Sequence, residues 1–202
     1  RKDSLTARDQ WLGIKGSLGE ITLGRAETTL KVSQGKFDLF NTYEGDLRHL
    51  FIGENRVNDS ITYKSITYNN IRFLGSLLVS KNRDLDTPLA LGIAWGDADL
   101  KKTDFFVAMA REKNMQGDKA IYNTTRITSM YQLNNLRLGT IFTQSEITNS
   151  DEASLNGESQ TGYALNLSYT LGKLLPKAQL QEFSGATAMN FQYTVGSNLG
   201  SI

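Results

Sequence analysis

Residues 162–183, GYALNLSYTLGKLLPKAQLQEF, alternate strictly. Tyr163, Leu165, Leu167 and Tyr169 form one row, and Ala164, Asn166 and Ser168 the other. After the turn at Leu171-Gly172-Lys173, Leu174, Pro176, Ala178 and Leu180 alternate with Leu175, Lys177, Gln179 and Gln181. A period of two predicts two strands of a hairpin, each with an apolar and a mostly polar face. The same pattern recurs along the chain. Leu89, Leu91, Ile93 and Trp95 stand opposite Ala90, Gly92 and Ala94. Leu136, Leu138, Thr140 and Phe142 stand opposite Arg137, Gly139, Ile141 and Thr143. Met189, Phe191, Tyr193 and Val195 stand opposite Asn190, Gln192 and Thr194. Ile71, Phe73, Leu77 and Val79 stand opposite Arg72, Leu74, Ser76 and Leu78, and Ile61 and Tyr63 stand against Ser60, Thr62 and Lys64. TDFFVAMARE and AIYNTTRITSMYQL are strands with less tidy alternation, and RDQWLGIKGSLGEITLGRA reads as two strands around GSLG. The pattern predicts about eleven antiparallel strands and almost no helix.

The connections fall into two lengths. Short ones sit at Asn134-Asn135, at Gly172-Lys173 and at Asp97–Lys102; longer polar ones sit at 80–87, 112–119 and 144–160. The longest irregular stretch is 27–59, a length that in a compact domain marks function or disorder.

Alternation alone leaves two architectures open: a soluble β-sandwich with one wet face, and a barrel with lipid outside and water inside. Three features favour the barrel. Several strands approach the roughly 9–11 residues that a tilted membrane strand needs. The polar rows are rich in Gly, Ala, Ser and Asn rather than Lys and Glu. Tyr63, Trp95, Tyr163 and Tyr169 end apolar rows, where an interfacial aromatic girdle belongs.

Composition narrows the field further. The chain has 202 residues, 39% of them hydrophobic, with 18 Gly and 2 Pro; mean hydropathy is -0.35. No apolar run approaches the roughly 20 residues of a membrane helix. Without cysteine there is no disulfide framework and no thiolate metal site. A net charge of +1 argues against a nucleic-acid partner. The chain begins at Arg1, without Met or a secretory leader, and reads as processed or trimmed.

The first 80 residues resemble the general porins of Gram-negative outer membranes. Gly13-Ile14-Lys15-Gly16, a turn, and Leu23-Gly24-Arg25 are similar to that family's opening hairpin. After the long loop, Arg56-Val57-Asn58-Asp59-Ser60-Ile61-Thr62-Tyr63 looks like its next strand. The later hairpins fit its strand–short turn–strand units. The resemblance implies one porin domain over 1–202, an all-β transmembrane antiparallel barrel of the sixteen-stranded type. About eleven strands and an end at GSNLGSI make this chain an incomplete barrel on that reading. It also implies a homotrimer in the bacterial outer membrane, in contact with membrane lipid and lipopolysaccharide. Small hydrophilic solutes would diffuse through it without a cofactor or enzymatic step.

The resemblance further implies that 27–59 folds inward as a constriction loop. Its acids Asp38, Glu44 and Asp46 would face a basic wall carrying Arg25, Arg56 and, more weakly, Lys15. Parity puts Arg56 on the lumen side with Asn58, Ser60 and Thr62. Arg25 shares parity with Ile21 and Leu23, so it reaches water only past the strand end or after a bulge at Gly24. Arg72, Arg126, Arg137 and Lys177 share the polar parity and line the lumen generally.

Other constellations carry less. His49 lacks the companions of a metal site. No nucleophile motif accompanies it. The acids of GDADLKKTD and NSDEAS read as turn chemistry, and GIKGSLGE lacks the Lys-Ser/Thr of a phosphate loop. A sandwich binding carbohydrate, or an outer-membrane receptor or adhesin, remains as the alternative.

Overall fold

The computed structural model describes residues 9–41, 45–54, 56–79, 87–116, 120–150 and 152–195. The strands are β1 (Gln10–Gly16), β2 (Gly19–Glu27), β3 (Arg56–Ser65), β4 (Ile71–Leu78), β5 (Leu89–Gly96) and β6 (Phe105–Gln116). They continue as β7 (Ala120–Leu133), β8 (Leu136–Ser150), β9 (Ser159–Tyr169), β10 (Leu174–Phe183) and β11 (Ala186–Val195). Each pairs antiparallel with its neighbours in sequence, giving one 11-stranded meander in which β1 and β11 are the edges. The sheet is therefore not closed among the described residues.

The apolar rows face outward. Leu165 is 53% exposed, Leu167 44%, Phe191 73% and Tyr193 72%. They continue a belt through Leu91, Ile93, Met109, Ile127, Leu138 and Phe142, all exposed. A soluble monomer does not leave an apolar patch of that extent in water. Rings stack within the belt: Phe142 and Tyr163, directly paired across β8 and β9, have centroids 5.5 Å apart. Trp95 meets Phe105 edge-on at 4.6 Å.

Two connections are shorter than the sequence suggests. β6 runs to Gln116 and β7 begins at Ala120, which cuts the 112–119 loop to three residues. β8 continues to Ser150, leaving 151–158 of the 144–160 stretch. Polarity misleads there because the outward row changes solvent and not structure. Past Phe142 it becomes Gln144 and Glu146, and past Met109 it becomes Arg111 and Lys113, all exposed, while the ladder continues. At the other end, Asp97 accepts from the amides of Asp99 (3.2 Å), Lys101 (3.0 Å) and Lys102 (2.9 Å), which is turn chemistry for those acids.

The long connection spans 28–55, and its described residues lie on the inner face. It holds a one-turn helix α1 (Thr29–Ser33) and a 3-10 turn at Leu47–His49. Thr28 caps α1 by accepting from the Lys31 amide. Phe37, Leu47 and Phe51 are buried against Ala94, Phe106, Ala108, Met130, Ile141, Ala164 and Phe183. The small residues of the polar rows thus make room for a loop. At Gly139 an added Cβ would stand 2.9 Å from Phe37, and at Gly162 3.0 Å from Phe51.

Candidate functional site

The inner wall treats the loop as a second layer. A loop backbone laid on a sheet face brings polar groups out of water, and each requires a partner. The wall supplies them. Arg137 donates to the Lys36 carbonyl and Asn166 to the Phe37 carbonyl. Gln179 bonds the Leu39 amide (3.3 Å) and the Gly45 carbonyl (3.1 Å), and Gln181 reaches the same carbonyl at 3.3 Å. On α1, the Thr29 amide donates to Ser76 Oγ at 2.8 Å.

The descending end of the loop is fixed by charge. Arg126, fully buried on β7, pairs with Glu54, donates to the Ile52 carbonyl at 2.9 Å and to Thr143 Oγ1 at 3.2 Å. Its guanidinium lies 6.0 Å from the centroid of the Phe51 ring. Lys31 Nζ stands 3.7 Å from the second Glu54 oxygen. Gln34, its amide oriented to suit its neighbours, donates to both Glu54 oxygens at 3.1 and 3.0 Å. Two charged donors and one amide donor offset the desolvation of Glu54.

Asp38 and Asp46 build the loop. Asp38 accepts from the amides of Phe40 (2.9 Å) and Leu47 (3.0 Å) and from Gln179 (3.3 Å). Burial pushes its carboxyl up to about 6, against the pull of those amides, and nearby Asp46 adds to the rise. Asp46 caps the 3-10 turn through the Arg48 amide at 3.0 Å and stands 3.4 Å from Arg48 Nε. Both acids turn toward protein, while Lys36 and Arg48 are exposed on the loop. Glu44 lies outside the described residues.

The basic candidates sit on β1–β3, which α1 approaches through Val32. Lys15 is exposed on the inner row, paired with Glu20, which pairs with Lys64. The β2–β3 register shifts between Gly24 and Ala26, and Asp59 there has φ 52°. A bulge near Gly24 is one of the two routes to water that the Arg25 parity left open, and Arg25 donates to Asn58 Oδ1 at 3.1 Å beside it. The same shift interrupts the parity used for Arg56. That residue is clamped by Asp9 (2.8 Å) and Glu27 (2.5 Å). Between α1 and this wall lies an opening of about 250 Å³, bordered by Asp9, Glu20, Glu27, Thr22, Thr62 and Lys64.

A family model of Gram-negative porins matches residues 1–198. The chain belongs to that family. Membership accounts for the outward apolar belt and places the porin in the bacterial outer membrane. No curated protein sequence matches it. Its fold is similar to an anion-selective porin from Comamonas acidovorans, with TM-score 0.70 at 14% identity over 94% of this chain. It is likewise similar to Salmonella typhi OmpF in complex with daunomycin, with TM-score 0.70 at 13% identity over 95% of this chain. Outer-membrane OmpT of Vibrio cholerae gives TM-score 0.65 at 14% identity, again over 95%. The chain spans 62%, 67% and 66% of those structures, respectively.

Sequence reasoning missed Glu54, Gln179, Gln181 and Asn166, and assigned Arg126 and Arg137 to the lumen at large. Parity located all but Glu54 on the inner face; what each bonds to was the missing part.

Proposed function

We propose that this porin chain forms part of a passive channel for small hydrophilic solutes and ions across the outer membrane, working by diffusion and without enzymatic chemistry. The observation that carries the reading is the inward loop. It covers the inner wall of the later strands and leaves a polar opening against β1–β3. A solute in that opening meets both signs of charge, Lys64 beside Asp9, Glu20 and Glu27, with Lys15 farther along the Glu20 row and Arg56 held by Asp9 and Glu27. Such a gap favours dipolar solutes and penalises apolar ones that must shed water. Ion selectivity is weak on this reading, since the charges intermix. Asp38, Asp46 and Glu44 belong to the constriction, the first two by holding the loop's shape.

The assembly is a homotrimer, in keeping with the trimer form of Vibrio cholerae OmpT, and its outer belt meets lipid. Arg111 and Lys113, exposed at the loop-side end of the belt, suit the phosphates of lipopolysaccharide. All of residues 1–202 form one porin domain. Reconstitution in a planar bilayer tests the proposal. Stepwise ohmic currents with a reversal potential close to zero in a KCl gradient are expected; a pure, folded trimer without conductance contradicts it.

A further inference from the structure

A second cavity lies on the tight-turn side of the loop, away from the opening at β1–β3. It measures about 360 Å³. The turns at Asn134-Asn135 and Thr170 form its floor, and Leu39, Leu100 and Leu175 give it one apolar side. Its charged part comes from register. Gln132, Arg137, Ser168, Lys177 and Gln192 are directly paired neighbours across β7 to β11, so they form one inner row. Arg137 and Lys177 flank the Ser168 hydroxyl, two strand spacings or about 10 Å apart at the backbone.

These two cations are incompletely used. Arg137 is 7% exposed, and its Nε is buried without a hydrogen-bond partner. Its Nη2 holds the Lys36 carbonyl and the Met130 sulfur. Asp99 is the acidic group near it. Lys177 makes no ion pair among the described residues. Two like charges over one hydroxyl, in a partly enclosed cavity, lower the energy of an anion between them and raise that of a cation. Flanking amide and hydroxyl donors suit a group with several oxygens better than a single halide.

We infer that this cavity is an oxyanion-binding subsite, taking a phosphate or carboxylate headgroup on a short apolar skeleton, with Lys177 as its free cation and Ser168 beneath. The inference rests on the channel reading for its physiological sense: the subsite would hold anionic solutes on the far side of the loop. Binding itself does not depend on conduction.

The test is 31P line broadening of inorganic phosphate by the full protein purified in detergent. Broadening is expected, relieved by butyrate and not by butanol. Lys177→Gln should weaken it about tenfold, as loss of one charge-assisted bond implies, with far-UV circular dichroism unchanged. Lys113→Gln, on the outer rim, should retain it. An unbroadened wild-type line, equal broadening with Lys177→Gln, or competition by butanol overturns the inference. Chloride conductance of the same preparation bears on the channel reading separately.

Discussion

The inner faces of β1–β3 and of β5–β10 carry the same kind of sequence, alternating small and polar residues, yet they do different work. On β5–β10 the inner polar side chains that the loop reaches are consumed, while Lys177, on the tight-turn side of the loop, makes no ion pair among the described residues. Arg126, Arg137, Asn166, Gln179 and Gln181 each hold a loop atom, and Gly139 and Gly162 give Phe37 and Phe51 room. On β1–β3 Lys15, Glu20 and Lys64 stand in one paired row beside the opening and hold no loop atom among the described residues. A polar residue on the inner wall is therefore glue where the loop reaches it and lumen lining where it does not. Charge in the first region sets where the constriction stands. Charge in the second is what a solute meets.

The strongest way to break this contrast is Arg126→Met. Removing one partner of a buried pair leaves Glu54 uncompensated and costs about 3–5 kcal/mol. The loop should leave the wall, seen as new tryptic cleavage after Lys31 and Lys36 and a changed unit conductance. Loss of the same magnitude is not expected from any residue of β1–β3. Next comes Gly139→Val, which drives a side chain toward Phe37 at a cost of about 1–3 kcal/mol. Gly16→Ala, where no atom lies within 4 Å, should stay within about 0.5 kcal/mol in thermal unfolding.

Asp38 sharpens the contrast with pH. Its folded carboxyl titrates at about 6, above the ordinary 3.8, because burial disfavours the charge. The folded loop thus binds this proton more tightly than the unfolded chain does. The resulting stability is fully present below 3.8 and is lost as pH rises through about 6. Protease resistance of the loop should fall over that window, and Asp38→Asn should flatten the fall; an undiminished slope would assign it to another group. The smallest effect on stability is expected from Lys15→Gln with Lys64→Gln, within about 0.5 kcal/mol. That pair should instead move the reversal potential toward cations, since two bases leave the wall and Glu20 remains.

Alternation made the sheet legible because a strand between two solvents must carry a period of two. Eleven strands, their hairpin order and the outward rows of Leu165 and Phe191 follow from it. The bulge near Gly24 was legible for a related reason: Arg25 has no place in hydrocarbon. What escaped was the loop's underside. Asp38 and Asp46 look like solvated loop acids because capping bonds to Leu47 and Arg48 leave no periodic trace. Glu54 is one acid among many until the fold brings Arg126 to it from 72 positions away. In the sequence Gly139 is one small residue of a polar row; the fold shows Gly139 and Gly162 as seats for aromatic rings.

The central claim is the inversion, apolar side chains toward lipid and polar ones toward water. The chain has no cysteine, so a single introduced thiol takes a nitroxide at one site. Labels at Leu165→Cys and Phe191→Cys should be relaxed by dissolved oxygen in a bilayer, and labels at Lys15→Cys and Lys64→Cys by a water-soluble nickel chelate. Labels at 165 and 191 shielded from oxygen by packed protein would contradict the account.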